Sequence, residues 1–211
     1  MIAIINLELG NLFSVSRAIE HVGGDCFVTD NIKEVMKADK IILPGVGSYK
    51  SGMESIYAKK LDGVLKGLAC DGVPILGICL GMQLLMDHSE EHGNTQGLGL
   101  IPGAVEYFRN ITGFDFKAKV PNVGWSSLNK KRRSWEGTIL EPVIEGDDCY
   151  FVHSLCVTPE VDDDLLALSH YGGVEFASVI QHQNISGCQF HPEKSGNVGL
   201  NIVRNFVDYK A

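Results

Sequence analysis

Apolar residues follow two different rhythms along this chain. In the first half, short apolar runs at 2–5, 26–29, 40–43 and 73–76 alternate with stretches whose apolar positions recur three or four residues apart. The runs predict strands. The stretch 11–22, with Leu12, Val15, Ile19 and Val22 at helical spacing, predicts a helix, as do 53–66 and the segment 82–86. Strands alternating with helices imply parallel pairing through right-handed crossovers. In the second half, strand-like runs at 118–120, 150–152, 165–168, 177–181 and 185–190 are separated by short polar turns such as His182-Gln183-Asn184. That pattern adds antiparallel or mixed sheet to the parallel core. A last helix is predicted over 198–209, with Leu200, Ile202, Val203 and Phe206 available for burial. The expected fold class is α/β: an open, mixed, mostly parallel sheet flanked by helices, with added antiparallel strands in the C-terminal half. Without repeats or low-complexity stretches, residues 1–211 read as a single domain.

Composition narrows the function more than the fold. The chain is 45% hydrophobic and 21% charged, the balance of a soluble globular protein. A net charge of −8 argues against wholesale nucleic-acid binding. No apolar run approaches the ~20 residues needed to span a membrane. The start, Met1-Ile2-Ala3-Ile4-Ile5-Asn6, reads as a buried strand and not as a signal peptide. Six cysteines (26, 70, 79, 149, 156 and 188) are scattered without Cys-x-x-Cys spacing. That argues against zinc or a redox pair, so no metal or cofactor is expected. A catalytic thiol prefers a reducing compartment, which predicts a cytoplasmic protein. The basic cluster Lys130-Lys131-Arg132-Arg133 beside a turn reads as a solvated loop.

One cysteine stands in a special context. Gly77-Ile78-Cys79-Leu80-Gly81 joins the run Val73-Pro74-Ile75-Leu76 to the helical segment after it. Strand, sharp turn and helix, with a thiol at the apex, make the cysteine version of the Gly-x-Ser-x-Gly nucleophile elbow. The glycines let backbone approach backbone, and the positive end of the helix favours thiolate. Such a thiol attacks carbonyls and needs a base. Among seven histidines, His191 ends the run 185–190 and is followed by Pro192 and Glu193. Pro192 biases His191 towards extended geometry, where residues two apart point the same way. Glu193 can then accept the second ring N–H of His191, the logic of nucleophile, base and orienting carboxylate. His153 is the alternative base, but no carboxylate stands two residues beyond it. Acyl transfer also needs donors for an oxyanion. The N–H of Leu80, just after the nucleophile, is one candidate, and the turn Gly45-Val46-Gly47 at another strand end supplies the second.

Pro44-Gly45-Val46-Gly47, Gly77-Ile78-Cys79-Leu80-Gly81-Met82-Gln83 and Gln189-Phe190-His191-Pro192-Glu193 resemble the three signatures of the class I (triad) glutamine amidotransferases, in the family's order. Further stretches resemble one branch of that family, glutaminase subunits of histidine biosynthesis. They are Gly10-Asn11-Leu12 with Ser14-Val15, Pro121 with Gly124-Trp125, Phe151-Val152-His153-Ser154 and Lys194-Ser195-Gly196. The resemblance implies a flavodoxin-like sheet and a mechanism in which Cys79 attacks the side-chain amide of L-glutamine, His191 shuttles the proton and Glu193 orients His191. It implies that Gly45, Gly47, Gln83, Ser154 and Leu155 line the glutamine site, and that Val46, Gly47 and Leu80 form the oxyanion hole. It also implies a heterodimer with a (β/α)8-barrel cyclase subunit that receives the ammonia, with Asn11, Trp125 and Lys194 facing it. In the family glutaminase activity is weak until the partner binds its ligand, which an oxyanion hole completed only in the complex would explain. The chain departs from the family pattern at Asn6-Leu7-Glu8-Leu9-Gly10, at Asn122 and at Leu155-Cys156. Those departures keep open a paralogue that feeds ammonia to enzymes making amidino-modified surface sugars. A cysteine peptidase-like hydrolase and a catalytically dead binding module are the readings from other classes.

Overall fold

Every residue of the first strand is buried, and its side chains alternate between two separate cores. The computed structural model describes residues 1–209; Lys210 and Ala211, at the end of the expected domain, lie outside the described residues. The first half runs β1 (Ile2–Ile5), α1 (Leu12–His21), β2 (Cys26–Thr29), α2 (Ile32–Val35), β3 (Lys40–Gly45), α3 (Tyr49–Ala58), α4 (Asp62–Cys70), β4 (Ile75–Cys79) and α5 (Leu80–Leu84). The second half runs β5 (Met86–Ser89), β6 (Thr95–Gln96), β7 (Ile101–Tyr107), β8 (Asn122–Ser127), β9 (Asn129–Lys130), β10 (Asp148–His153), β11 (Leu155–Pro159), β12 (Leu165–Tyr171), β13 (Val174–His182), β14 (Ile185–Cys188) and α6 (Gly196–Asp208).

The main sheet has eight strands in the order β2-β1-β3-β4-β14-β13-β12-β9. Pairing from β2 through β14 is parallel, and from β14 onwards antiparallel. This is the mixed, mostly parallel α/β sheet that the sequence predicts, with a four-stranded sheet (β11-β7-β5-β6) and a two-stranded ribbon (β10-β8) beside it. Because successive strand residues point to opposite faces, Ile2 and Ile4 join Val15 and Ile19 of α1 and Phe206 of α6 on one side. Ala3 and Ile5 join Met53 and Ile56 of α3 and Leu65 of α4 on the other. Helices thus cover both faces, which leaves the ends of the parallel strands as the accessible edge.

Three sequence expectations are corrected. The helix expected over 53–66 is two helices, α3 and α4. The break is a Schellman turn: Leu61 N–H donates to Ile56 O at 3.0 Å, Lys60 N–H to Tyr57 O at 3.0 Å, and Lys60 adopts φ 56°. A lysine fills the place where glycine usually signals such an ending, so the apolar spacing runs on unbroken across it. The run 118–120 is bend and irregular chain, and the strand there is β8, which begins after Pro121. The helix after Cys79 ends at Leu84, and Met86 belongs to β5.

Candidate active site

Three neighbouring strand ends bring the candidate residues together. Gly45 at the end of β3 pairs in register with Cys79 at the end of β4, and Cys188 of β14 pairs with Ile78. Gln189 and His191 follow directly beyond β14. The crevice at the carboxyl ends of parallel strands is where open α/β sheets place ligands. Cys79 occupies φ 53°, ψ −109°, a backbone conformation that non-glycine residues rarely adopt. The packing explains the glycines around it. A Cβ on Gly81 would lie 1.6 Å from Leu43 O, and one on Gly77 would lie 2.6 Å from Met82 N. Helix α5 is pressed so closely onto β3 and β4 that only backbone fits between them, and the turn is forced into its strained form.

Behind the thiol, His191 is held from three sides. Its Nδ1 lies 2.8 Å from Glu193 Oε1, and both side chains are almost wholly buried. Its backbone N–H donates to Tyr150 O at 3.0 Å. Ser195 Oγ donates to His191 O at 2.7 Å while accepting the Tyr150 N–H at 3.0 Å. Burial is the largest influence on the imidazole and opposes its charge. Cys79 and Glu193, through hydrogen bonding and charge, outweigh it and push the pKa up to about 9. With Nδ1 taken by Glu193, the buried Nε2 is left as the nitrogen that can exchange a proton with the thiol. The Cys79 sulfur contacts Val152 O at 3.8 Å and Gln189 Nε2 at 3.7 Å.

In front of the thiol lies a cavity of about 270 Å³, and Val46, Gly47, Leu80, Gln83, Ser154 and Leu155 all line it with Cys79. Gly45 does not. It borders a separate void of about 20 Å³ behind the thiol, with His191, Glu193, Asn11 and Lys194. Its lack of a side chain leaves room for Leu80, whose Cδ2 would be 3.1 Å from a Cβ there. Val46 is common to the cavity and the void. Its N–H donates to Leu9 O at 3.3 Å, so this amide is already committed. Leu80 is the first residue of α5, and its N–H therefore has no intrahelical acceptor.

His153 also lines the cavity, but both of its ring nitrogens are committed. Nδ1–H donates to Leu155 O at 2.8 Å, so Nε2 of the neutral ring accepts from Asn122 Nδ2 at 3.2 Å. Burial pushes its pKa down to about 4. Trp125 is 56% exposed on β8 beside the 58% exposed Val123, away from the cavity. Asn11 caps α1 by accepting Ser14 N–H at 3.1 Å, and Lys194 is exposed.

Three residues at the site carry no role in the sequence reading. Glu91 is buried, lines the cavity and accepts the Tyr49 N–H at 2.5 Å. It lies in a polar stretch where nothing separates it from Glu90. Ser195 is the clasp described above, and Gln189 joins Cys79 to Gln83. Both stand inside quoted motifs, which was the only available signal. Among the described residues no cluster of His, Cys, Asp and Glu is arranged to hold a metal ion, and no helix is long and apolar enough to cross a membrane.

The family described as glutamine amidotransferase class-I matches residues 4–209. Imidazole glycerol phosphate synthase subunit HisH of Geobacillus thermodenitrificans is 43% identical over 98% of this chain and 95% of its own length. The same subunit of Halalkalibacterium halodurans is 44% identical over 98% and 94%. That of Bacillus velezensis is 42% identical over 100% and 97%. Among solved structures, a glutamine amidotransferase superposes with a TM-score of 0.74 at 13% identity, covering 98% of this chain and 97% of the other. PurLQS from Thermotoga maritima superposes with a TM-score of 0.72 at 20% identity, covering 99% and 97%. The chain belongs to the class I glutamine amidotransferase family, in the branch of the HisH subunits of imidazole glycerol phosphate synthase.

Proposed function

We propose that this chain is the glutaminase subunit of an imidazole glycerol phosphate synthase, hydrolysing L-glutamine through Cys79, His191 and Glu193 and passing the ammonia to a (β/α)8-barrel cyclase subunit in a heterodimer. The observation that carries the reading is the line Cys79–His191–Glu193 set behind a cavity that holds a buried carboxylate, Glu91. A carboxylate there suits the α-ammonium of a free amino acid. It does not suit a peptide, in which that amine is acylated, and so it disfavours the peptidase alternative.

In the first half-reaction, Cys79 Sγ bonds to the carboxamide carbon of glutamine, and its proton passes to His191 Nε2. Collapse of the tetrahedral species breaks the C–N bond, with His191 returning the proton to the departing ammonia. Water, deprotonated by His191, then attacks the thioester, and glutamate leaves as the thiol is regenerated. Glu193 keeps the imidazole in the required orientation and favours its charged form. The tetrahedral oxyanion needs donors. Leu80 N–H is ready, whereas the Val46 amide is tied to Leu9 O. Rotation of the peptide between Gly45 and Gly47 would free that donor, and glycines on both sides make the rotation inexpensive. Contact of the partner with the Asn11 and Lys194 side of the void is the natural trigger.

The test is glutamine turnover by the purified chain, alone and with a (β/α)8 cyclase subunit and its ligand. Weak turnover alone, a rise of at least tenfold with the liganded partner and none in Cys79→Ala is expected. Peptide cleavage with glutamine ignored would sink the reading.

A further inference from the structure

Gln189 is fully buried, yet both ends of its amide are in use at the reacting centre. Its Nε2 donates to Cys79 Sγ at 3.7 Å, and its Oε1 accepts from Gln83 Nε2 at 3.1 Å. Its backbone is fixed by an N–H bond to Ser178 O at 2.9 Å, and it stands two residues before His191 in the chain. A primary amide carries a donor at one end and an acceptor at the other, so the three groups constrain one another. Gln189 turns its nitrogen towards the Cys79 sulfur. Its oxygen then faces Gln83, which must present nitrogen in return. Gln83 lines the cavity, and its Oε1 is left as the atom able to receive an N–H from a ligand.

We propose that Gln189 is a positioning residue for thioester formation: its amide holds the Cys79 sulfur in line with the substrate carbon and, through Gln83, sets which amide atom the cavity offers to glutamine. The proposal rests on the glutaminase reading above. It assigns two separable duties to one side chain, one at the nucleophile and one at the substrate.

Two substitutions separate them. Gln189→Leu removes both contacts and strands Gln83 Nε2 without a partner. It is expected to lower kcat by about tenfold or more and to raise KM several-fold, with the liganded cyclase partner present. Gln189→Glu keeps an acceptor for Gln83 but loses the donor to sulfur. KM should stay near wild type while kcat falls, and the deficit should shrink as pH is lowered, because a protonated carboxyl again offers an O–H. A side chain that merely fills space predicts equal, pH-independent losses in both variants. Alkylation of the Cys79 peptide by iodoacetamide, followed by mass spectrometry in chains shown to be folded by circular dichroism, reads the sulfur without turnover. A slowed rate in Gln189→Leu is expected. Wild-type kcat and alkylation rate in Gln189→Leu, or a Gln189→Glu deficit that ignores pH, overturns the proposal. If Gln189→Glu does not fold, the alkylation rate of Gln189→Leu decides. A wild-type chain inactive on glutamine would instead sink the glutaminase reading, with the alkylation comparison still decisive for Gln189.

Discussion

His191 and His153 lie close to the same cysteine, and their exposures, 4% and 5%, are nearly identical. Burial opposes the charged form in both. Their pKa values nonetheless move in opposite directions, up to about 9 for His191 and down to about 4 for His153. The difference lies in the partners. His191 faces a carboxylate and a thiol, which stabilise the imidazolium. His153 faces a carbonyl that accepts one proton and an amide that donates to the other nitrogen, an arrangement that only the neutral ring completes. On the proposed mechanism, two buried imidazoles thus divide into a proton carrier and a fixed structural strut. Packed among Phe108, Phe151 and Phe176, His153 holds the carbonyl of Leu155 and with it the turn that forms one wall of the cavity.

The sharpest way to break this contrast is to remove each ring in turn. His191→Asn should lower glutamine turnover by about 10³-fold or more, since the thiol then has no base. His153→Gln, which can still donate to Leu155 O, should stay within about tenfold of wild type and act mainly on KM. Steady-state kinetics with the liganded partner distinguishes them. Equal losses in kcat would mean that His153 takes part in proton transfer after all.

A smaller loss tests why the two rings differ. Glu193→Gln preserves the shape of the contact to Nδ1 and removes its charge. It should cost on the order of 10²-fold in kcat, and the His191 pKa should drop from about 9 towards its ordinary 6.5. Imidazole NMR titration measures that directly. A ring that still titrates near 9 in this variant would assign its charge to Cys79 alone.

Most of this contrast could be read from the chain before any coordinates. Cys79, His191 and Glu193 are legible because local rules bind them: glycines bracket the elbow, and Pro192 sets the geometry of the residue before it. The parallel strands are legible because each is a continuous apolar run. The four-stranded side sheet was missed because β7 carries Pro102 and Gly103 within it and β5 is Met86-Asp87-His88-Ser89, neither of which has strand periodicity. Glu91 and Gln189 were missed for a different reason. Their roles come from contacts 42 and 110 residues away, Tyr49 N–H and Cys79 Sγ. No local pattern encodes that distance. The engagement of the Val46 amide by Leu9 is likewise a long-range choice, made by how β3 meets the loop after β1.

The mildest test uses stability instead of rate, and its sign differs for the two rings. The folded-state pKa of His191 is raised above the ordinary 6.5, so its contribution is complete below pH 6.5 and is lost as pH rises through about 9. That of His153 is depressed, so its contribution is complete above pH 6.5 and is lost as pH falls through about 4. At about 1.4 kcal/mol per pKa unit, each is worth on the order of 3 kcal/mol across its full window. Their sum is greatest near the shared unfolded value. Urea unfolding of wild type and of each variant, at about pH 5, 6.5 and 9, isolates the two limbs as differences. His191→Asn should flatten the alkaline limb and leave the acid limb in place, and His153→Gln should do the reverse. If both variants flattened the same limb, the two histidines would share one electrostatic environment, and the distinction between carrier and strut would collapse.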